Sequence, residues 1–219
     1  MQSSGGGNRD VDVRVGSLPE VDETPLAEVV NEAGEVVRSF GERKPYEDQR
    51  LGMLGNAVVL AYSPENGEVA LVFRTSEEIH IYDPRTGEPK RIITRDIPFT
   101  PRVPSFEEQR ISSPDGREVQ IMVQPIADTV SRAAAYDAQG RLWVIAMLLD
   151  YDELTEREEE GDYAGMSRLE VYAPNGTLLT AVVMEDPSDR IVFDDSGDLW
   201  LLDTEYEALL RRYQVSWPQ

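Results

Sequence analysis

The strongest constraint on the fold is one pattern written twice. Arg132-Ala-Ala-Ala-Tyr-Asp-Ala-Gln-Gly-Arg-Leu-Trp-Val-Ile145 and Arg190-Ile-Val-Phe-Asp-Asp-Ser-Gly-Asp-Leu-Trp-Leu-Leu-Asp203 share a small or apolar run, an aromatic, Asp, two spacers, Gly, one spacer, Leu-Trp and an apolar tail. An Asp-x-x-Gly step between short apolar segments predicts a β-hairpin, because glycine takes the positive φ that the reversal needs. A weaker copy runs from Ala57 to Phe73 and turns at Pro64-Glu-Asn-Gly67. A second hairpin type occurs at Ala27–Gly41, Ile79–Ile93 and Leu169–Val183, each an alternating strand, a Gly turn and another strand.

The two types alternate along the chain. Inner hairpins at 57–73, 132–147 and 190–203 are followed by outer ones at 78–94 and 168–184 and by the strand-like 209–215. Inner plus outer makes a four-stranded antiparallel blade. Such a unit cannot cover both of its faces alone, so neighbours must stack. The expected fold is all-β, a β-propeller-like stack of antiparallel four-stranded blades. About three to four blades are expected, with the ring incomplete. A Gly-rich arm or linker at 1–25, whose Val alternation makes one strand, precedes a propeller-like domain at 26–219. The proline-rich 96–131 breaks the period and holds one extra hairpin around Ser113-Pro-Asp-Gly116. The acidic 150–166 is an insertion that reads as an exposed loop with room for a helical turn.

These residues carry a family resemblance. Ile79-x-Ile-Tyr-Asp-x-x-x-Gly-x-x-x-Arg-Ile-Ile93 and the Tyr/Phe-Asp-x-x-Gly-x-Leu-Trp hairpins resemble bacterial NHL-type and TolB-like six-bladed β-propellers over residues 27–215. The resemblance implies a propeller and, since such proteins are commonly exported, a periplasmic or extracytoplasmic place. It implies no activity, because propellers host many. Six blades of about 40–45 residues need on the order of 250 residues, more than this chain of 219 supplies once its insertions are set aside. A leftover sheet edge is then expected, and such edges are covered or paired.

Composition narrows the partners. A net charge of −21 repels nucleic acid and anionic headgroups. The absence of cysteine removes disulfides, thiolate nucleophiles and Cys-ligated metals. No apolar run is long enough to enter a bilayer, and Met1 begins no recognisable signal peptide, so the expectation is a cytoplasmic or already processed chain without direct membrane insertion.

Few residues suggest chemistry. His80, the one histidine, sits in an alternating strand opposite Ile79 and Ile81, where an ordinary hydrogen bond is expected of it. Asp150 and Asp152 start an acidic run that fails the calcium-loop pattern at its sixth and twelfth positions. They remain weak cation candidates together with Asp194 and Asp198, whose cluster fits turn chemistry. No cofactor is expected. Trp143, Trp200 and Trp217 read as core or seam aromatics between blades.

Two functional classes follow. The first is a non-catalytic interaction protein, an accessory subunit docked on other subunits of a larger, membrane-associated assembly. Its contacts would be Ser3, Ser4, Gly5, Gly6, Gly7, Asn8 and Arg9 of the arm and Glu158, Glu159 and Glu160 of the acidic insertion, with a homo-oligomer as a variant. The second is a metal-dependent propeller hydrolase or lactonase using Asn56, Asp137 and Asp194, or more weakly a soluble ligand-binding propeller.

Overall fold

The computed structural model describes residues 12–15, 25–112, 119–206 and 208–216. Ser3 to Arg9 of the expected arm, the Ser113–Gly116 turn and Trp217 lie outside them. The chain is all-β apart from two short helices. Strands β1 (Asp12–Val15), β2 (Ala27–Val30) and β3 (Val36–Phe40) form a first antiparallel sheet. A second follows from β4 (Val58–Ser63), β5 (Glu68–Phe73), β6 (Glu78–Tyr82) and β7 (Pro89–Thr94). A separate hairpin pairs β8 (Ser105–Ser112) with β9 (Val119–Ile126). The third sheet contains β10 (Ser131–Tyr136), β11 (Leu142–Met147), β12 (Ser167–Tyr172) and β13 (Leu178–Val183). The fourth has β14 (Arg190–Phe193), β15 (Leu199–Asp203) and β16 (Leu209–Tyr213). Each sheet is in sequence order, so the hairpins read from the sequence fold back as meanders. The Val alternation of the arm supplies β1, which pairs with β2.

Stacking buries the sheets. Leu26, Ala27, Val29 and Phe40 of the first meet Val69, Leu71 and Phe73 of the second. Val72, Ile79 and Ile81 meet Leu142, Val144 and Tyr172 of the third, and Trp143, Ile145 and Val171 meet Ile191, Leu199 and Leu201 of the fourth. Every side chain of β5 and β11 is buried, because these strands are covered on both faces. At roughly 1.5–3 kcal/mol per buried large aliphatic side chain, the seams dominate over the local preferences of the hairpins. The architecture is a propeller-like array of four sheets in which, among the described residues, the first and last share no apolar cluster.

The acidic insertion is a correction. It is helical: α2 (Tyr151–Glu160) is capped by the Asp150 carboxylate, which accepts from the amides of Asp152 and Glu153 at 3.0 Å, and it ends on Gly161 in the left-handed region. Leu154 anchors it among Met147 and Met166. The other helix, α1 (Gln49–Gly55), leads into β4.

The seam of the second and third sheets also encloses charge. Arg95 and Glu170 have fully buried side chains with Nη1 and Oε2 3.5 Å apart. Arg95 donates to Ser131 Oγ and the Glu77 carbonyl, while Glu170 accepts from Arg168 Nε at 2.8 Å and the Tyr172 hydroxyl at 2.7 Å. Burial, and then the negative Glu170, raise the Tyr172 hydroxyl far above its usual range. Nearby, burial works against the Glu68 carboxylate, but Arg91 and Lys90 outweigh it and hold its pKa low. Glu170→Ala would leave Arg95 without its buried counter-charge. The expected loss is about 3–5 kcal/mol of unfolding free energy, measured by urea denaturation, against a near-neutral effect for alanine at the exposed Glu159.

Candidate functional site

Each of the candidate cation residues is already engaged. Asp137 Oδ1 accepts from the amides of Gln139 and Arg141 at 2.9 and 3.0 Å, and its Oδ2 from Arg141 Nε at 2.6 Å and Trp143 Nε1 at 2.8 Å. Asp194 repeats this with the amides of Ser196 and Asp198, the Ser196 hydroxyl and Trp200 Nε1 at 2.9 Å. The motif Asp-x-x-Gly-x-Leu-Trp is therefore a lock: one carboxylate ties the turn and holds the indole six residues on. Hydrogen bonds from the Ser196 hydroxyl and then Trp200 keep Asp194 well below the ordinary aspartate range.

The remaining candidates are placed by similar local contacts. Asp150 caps α2, Asp152 accepts from Arg102 Nη2 at 2.7 Å, and Asp198 accepts from Arg212 Nε at 2.8 Å. Asn56 closes α1, bonding the Lys44 amide and carbonyl and the Gly52 carbonyl. His80 Nε2 lies 3.2 Å from Glu78 Oε2, and its ring meets Phe73 edge-on. Among the described residues no three acidic or histidine side chains group as a metal site.

The turns all lie at one end of the array. Asn66 of the β4–β5 turn donates to the Gly140 carbonyl of the β10–β11 turn at 2.8 Å. That turn shares a recess of about 320 Å³ with Ser196 and Gly197 of the β14–β15 turn. Asn56 precedes β4 and so belongs to the opposite end, and the structure does not bring it to Asp137 and Asp194.

That opposite end gathers the insertions. In a four-stranded meander the entry to the first strand, the link between the second and third, and the exit from the fourth share one end. There lie α1 before β4, α2 between β11 and β12, and the β8–β9 hairpin between β7 and β10. They are tied together. Buried Asp128 accepts from the amides of Arg102 and Tyr151, the latter at 2.7 Å. Arg102 also lies over the Tyr151 ring, and Arg50 of α1 lies 4.4 Å over Phe106 of β8. Tyr206 donates to Glu158 of α2 and accepts from Arg132, and burial above all pushes its hydroxyl pKa up to about 12.

This insertion face exposes two kinds of side chain. Val103 is 75% exposed and Ile121 57%, with Met122 and Val123 beside it. Glu156, Glu159 and Glu160 are exposed on α2, as are Glu107 and Glu108 on β8. Of the expected partner contacts, Glu159 and Glu160 are open, while Glu158 is held by Tyr206. Sequence reading missed Arg102 and Asp128, because each acts between segments far apart in the chain. A second concavity of about 750 Å³ lies between the first two sheets, with Phe40, Tyr82 and His80 in its wall. Among the described residues no helix is long and apolar enough to cross a membrane.

No protein family matches the chain, and no curated protein matches it. Among solved structures it is similar to a protein of unknown function from Bacteroides caccae, at 16% identity and TM-score 0.32 over 85% of this chain and 68% of that one. A luciferin-regenerating enzyme aligns at 12% identity and TM-score 0.39 over 80% of this chain and 42% of its own. The Cps50 (Swd1) β-propeller domain of Myceliophteria thermophila aligns at 10% identity and TM-score 0.34, over 80% and 55%. The chain thus spans between two fifths and about two thirds of these structures. Overlays this loose carry no argument about activity.

The lock predicts unequal losses. Asp137→Ala removes the buried carboxylate that accepts from both Trp143 Nε1 and Arg141 Nε and should cost about 3 kcal/mol. Asp194→Ala should cost less, because its turn is solvated. As the Asp194 pKa lies below its unfolded value, that contribution is complete above the ordinary aspartate range and is lost as pH falls through the folded pKa. Chemical denaturation of both variants at neutral and acid pH checks this.

Proposed function

We propose that the chain is a non-catalytic interaction module. It is an extrinsic accessory subunit that docks on a larger protein assembly at a membrane surface, outside the cytoplasm, through its N-terminal arm and its acidic insertion face. A distant NHL-type or TolB-like origin belongs to the same reading. The observation that carries it is the gathering of three separate insertions into one surface on a stack of sheets, the β8–β9 hairpin and α2 tied by Asp128 and Arg102, and α1 held to β8 by Arg50 over Phe106. Exposed apolar residues rimmed by charge mark interaction sites more often than isolated surface hydrophobes do. The acidic rim favours a partner with basic side chains and speeds its approach. The engagement of Asp137 and Asp194 in turn locks favours this reading over a metal-dependent hydrolase.

The test is recovery of the native assembly on tagged full-length chain. Ile121→Lys and the pair Glu159→Lys with Glu160→Lys should each cut recovery roughly tenfold with an unchanged circular dichroism spectrum. Deletion of residues 1–25 should do the same. Undiminished recovery with all three variants would overturn the docking assignment.

A further inference from the structure

Each sheet ends on one outer strand, β3, β7, β13 or β16, which among the described residues is paired on one side only. An unpaired strand edge offers its amides and carbonyls to any extended chain, and charge or proline on the strand ordinarily discourages the pairing. Three of the four strands carry such residues: Arg38 on β3, Pro89, Lys90 and Arg91 on β7, and Arg211 and Arg212 on β16. β13 carries none. It reads Leu178-Leu-Thr-Ala-Val-Val183, uncharged throughout in a chain of net charge −21. Leu178 and Leu179 are each 47% exposed, Val182 57% and Val183 59%.

The pairing with β12 fixes which groups this edge presents. The Met184 amide donates to the Ser167 carbonyl at 2.9 Å, so the hydrogen-bonded pairs of the ladder are Ser167 with Met184, Leu169 with Val182 and Val171 with Thr180. Ala181 and Val183 fall between them and turn their amides and carbonyls outward. The two ends of the strand differ in charge. Beyond Val183 stands Glu185, exposed and without an ion pair among the described residues, whereas Asp186 is taken by Arg211 at 3.1 Å. The loop leaving the acidic α2 joins the same end, where the Gly165 amide donates to the Met184 carbonyl at 3.0 Å. Before Leu178 stand Asn175, Gly176 and Thr177, which carry no charge.

We propose that β13 is a strand-addition site for an extended segment of a partner protein, an uncharged apolar run opposite Leu178–Val183 with basic side chains immediately before it. The segment runs antiparallel to β13, as every pairing in this sheet does. Antiparallel pairing sets the residues that precede the run opposite Glu185, so the charge difference between the two ends fixes the occupant's polarity as well as its composition. Backbone hydrogen bonds to Ala181 and Val183 hold the segment, and its alternate side chains pack on Leu179 and Val183 at one face and Val182 at the other. A second copy fits less well. Paired in full register, Leu178 opposite Val183, it would set Glu185 opposite the uncharged Gly176 and bring together two chains of net charge −21. This inference rests on the reading of the chain as an interaction module and names how its partner is held.

The experiment uses the purified full chain and a synthetic peptide, Lys-Lys-Val-Thr-Val-Thr-Val-Thr, so its failure leaves recovery of the native assembly, and the docking that recovery reads, untouched. Hydrogen exchange of the Ala181 and Val183 amides should slow roughly tenfold or more with peptide, while the amides of Thr180 and Val182, already bonded to β12, should not change. Ala181→Pro removes an outward amide and no ladder bond, and Val182→Lys alters an exposed side chain. Each should abolish the protection of Val183 with an unchanged circular dichroism spectrum. The same peptide with Glu-Glu in place of Lys-Lys should bind roughly tenfold more weakly, and Glu185→Lys should reverse that order. Absence of protection at millimolar peptide, protection of a different strand, or equal binding of the two peptides would overturn the proposal. So would slow exchange at Ala181 and Val183 without peptide in a chain that sediments at twice 24.6 kDa, which would mean that a second copy holds the edge.

Discussion

A sheet that is apolar on both faces is soluble only when both are covered. β5 and β11 are such strands, buried from end to end, and the array around them is the consequence. A lone hairpin of this kind is marginal in water. Each sheet is stabilised by what its neighbour removes from solvent, so stability is shared along the stack and concentrated in its middle. The ends of the stack must differ from the middle. The first sheet meets this with a polar outward row, Arg14, Glu28 and Ser39, whereas the fourth keeps tryptophan and leucine on its outward face.

The seam between the second and third sheets also has direction. Apolar faces tolerate small slides, but the pair Arg95–Glu170 is satisfied at one relative placement of the two sheets. Net stabilisation from such buried pairs is small, since desolvation offsets most of the Coulomb gain. Breaking one is costly, because the surviving charge has no water to return to. The middle of the array is thus its least adjustable part, and β10, which packs against both β4 and β14, carries that placement to the neighbouring sheet.

The sheets were legible because their signal is local. Hairpins at 57–73, 78–94, 132–147, 168–184 and 190–203 announce themselves through alternation and a glycine at the reversal, and Gly140 and Gly197 do adopt positive φ. Trp143 as a seam residue was legible for the same reason. α2 was obscured by its charge: six acidic residues within Tyr151–Glu160 suggest a solvated loop, although Asp150 at the cap and Gly161 at the end are helix punctuation. α1 carries Gly52 and Gly55, which argue against a helix, yet Gly55 is required because a Cβ there would strike the Tyr46 ring. No local pattern announces that packing. Glu170 left a fainter trace: it shares strand parity with the buried Tyr172, and a charge on an inward parity has to find a partner. Which partner it finds, Arg95 or Arg168, is a matter of tertiary geometry.

The placement of the insertions has a physical basis in the turns. At one end of the array the reversals are short, and Asp137 and Asp194 each hold a turn and an indole at once, so an added residue there would break the lock. At the other end no such lock constrains the links among the described residues, and lengthening a surface link costs closure entropy only logarithmically. Growth is therefore tolerated at one end alone, and Asp128 and Arg102 fix what has grown there into a defined surface. The charge of that surface also limits how it can be used. Glu107, Glu108, Glu156, Glu159 and Glu160 oppose the approach of a second acidic copy to Ile121, Met122 and Val123. The acidic rim therefore opposes self-association through the apolar strip at this end.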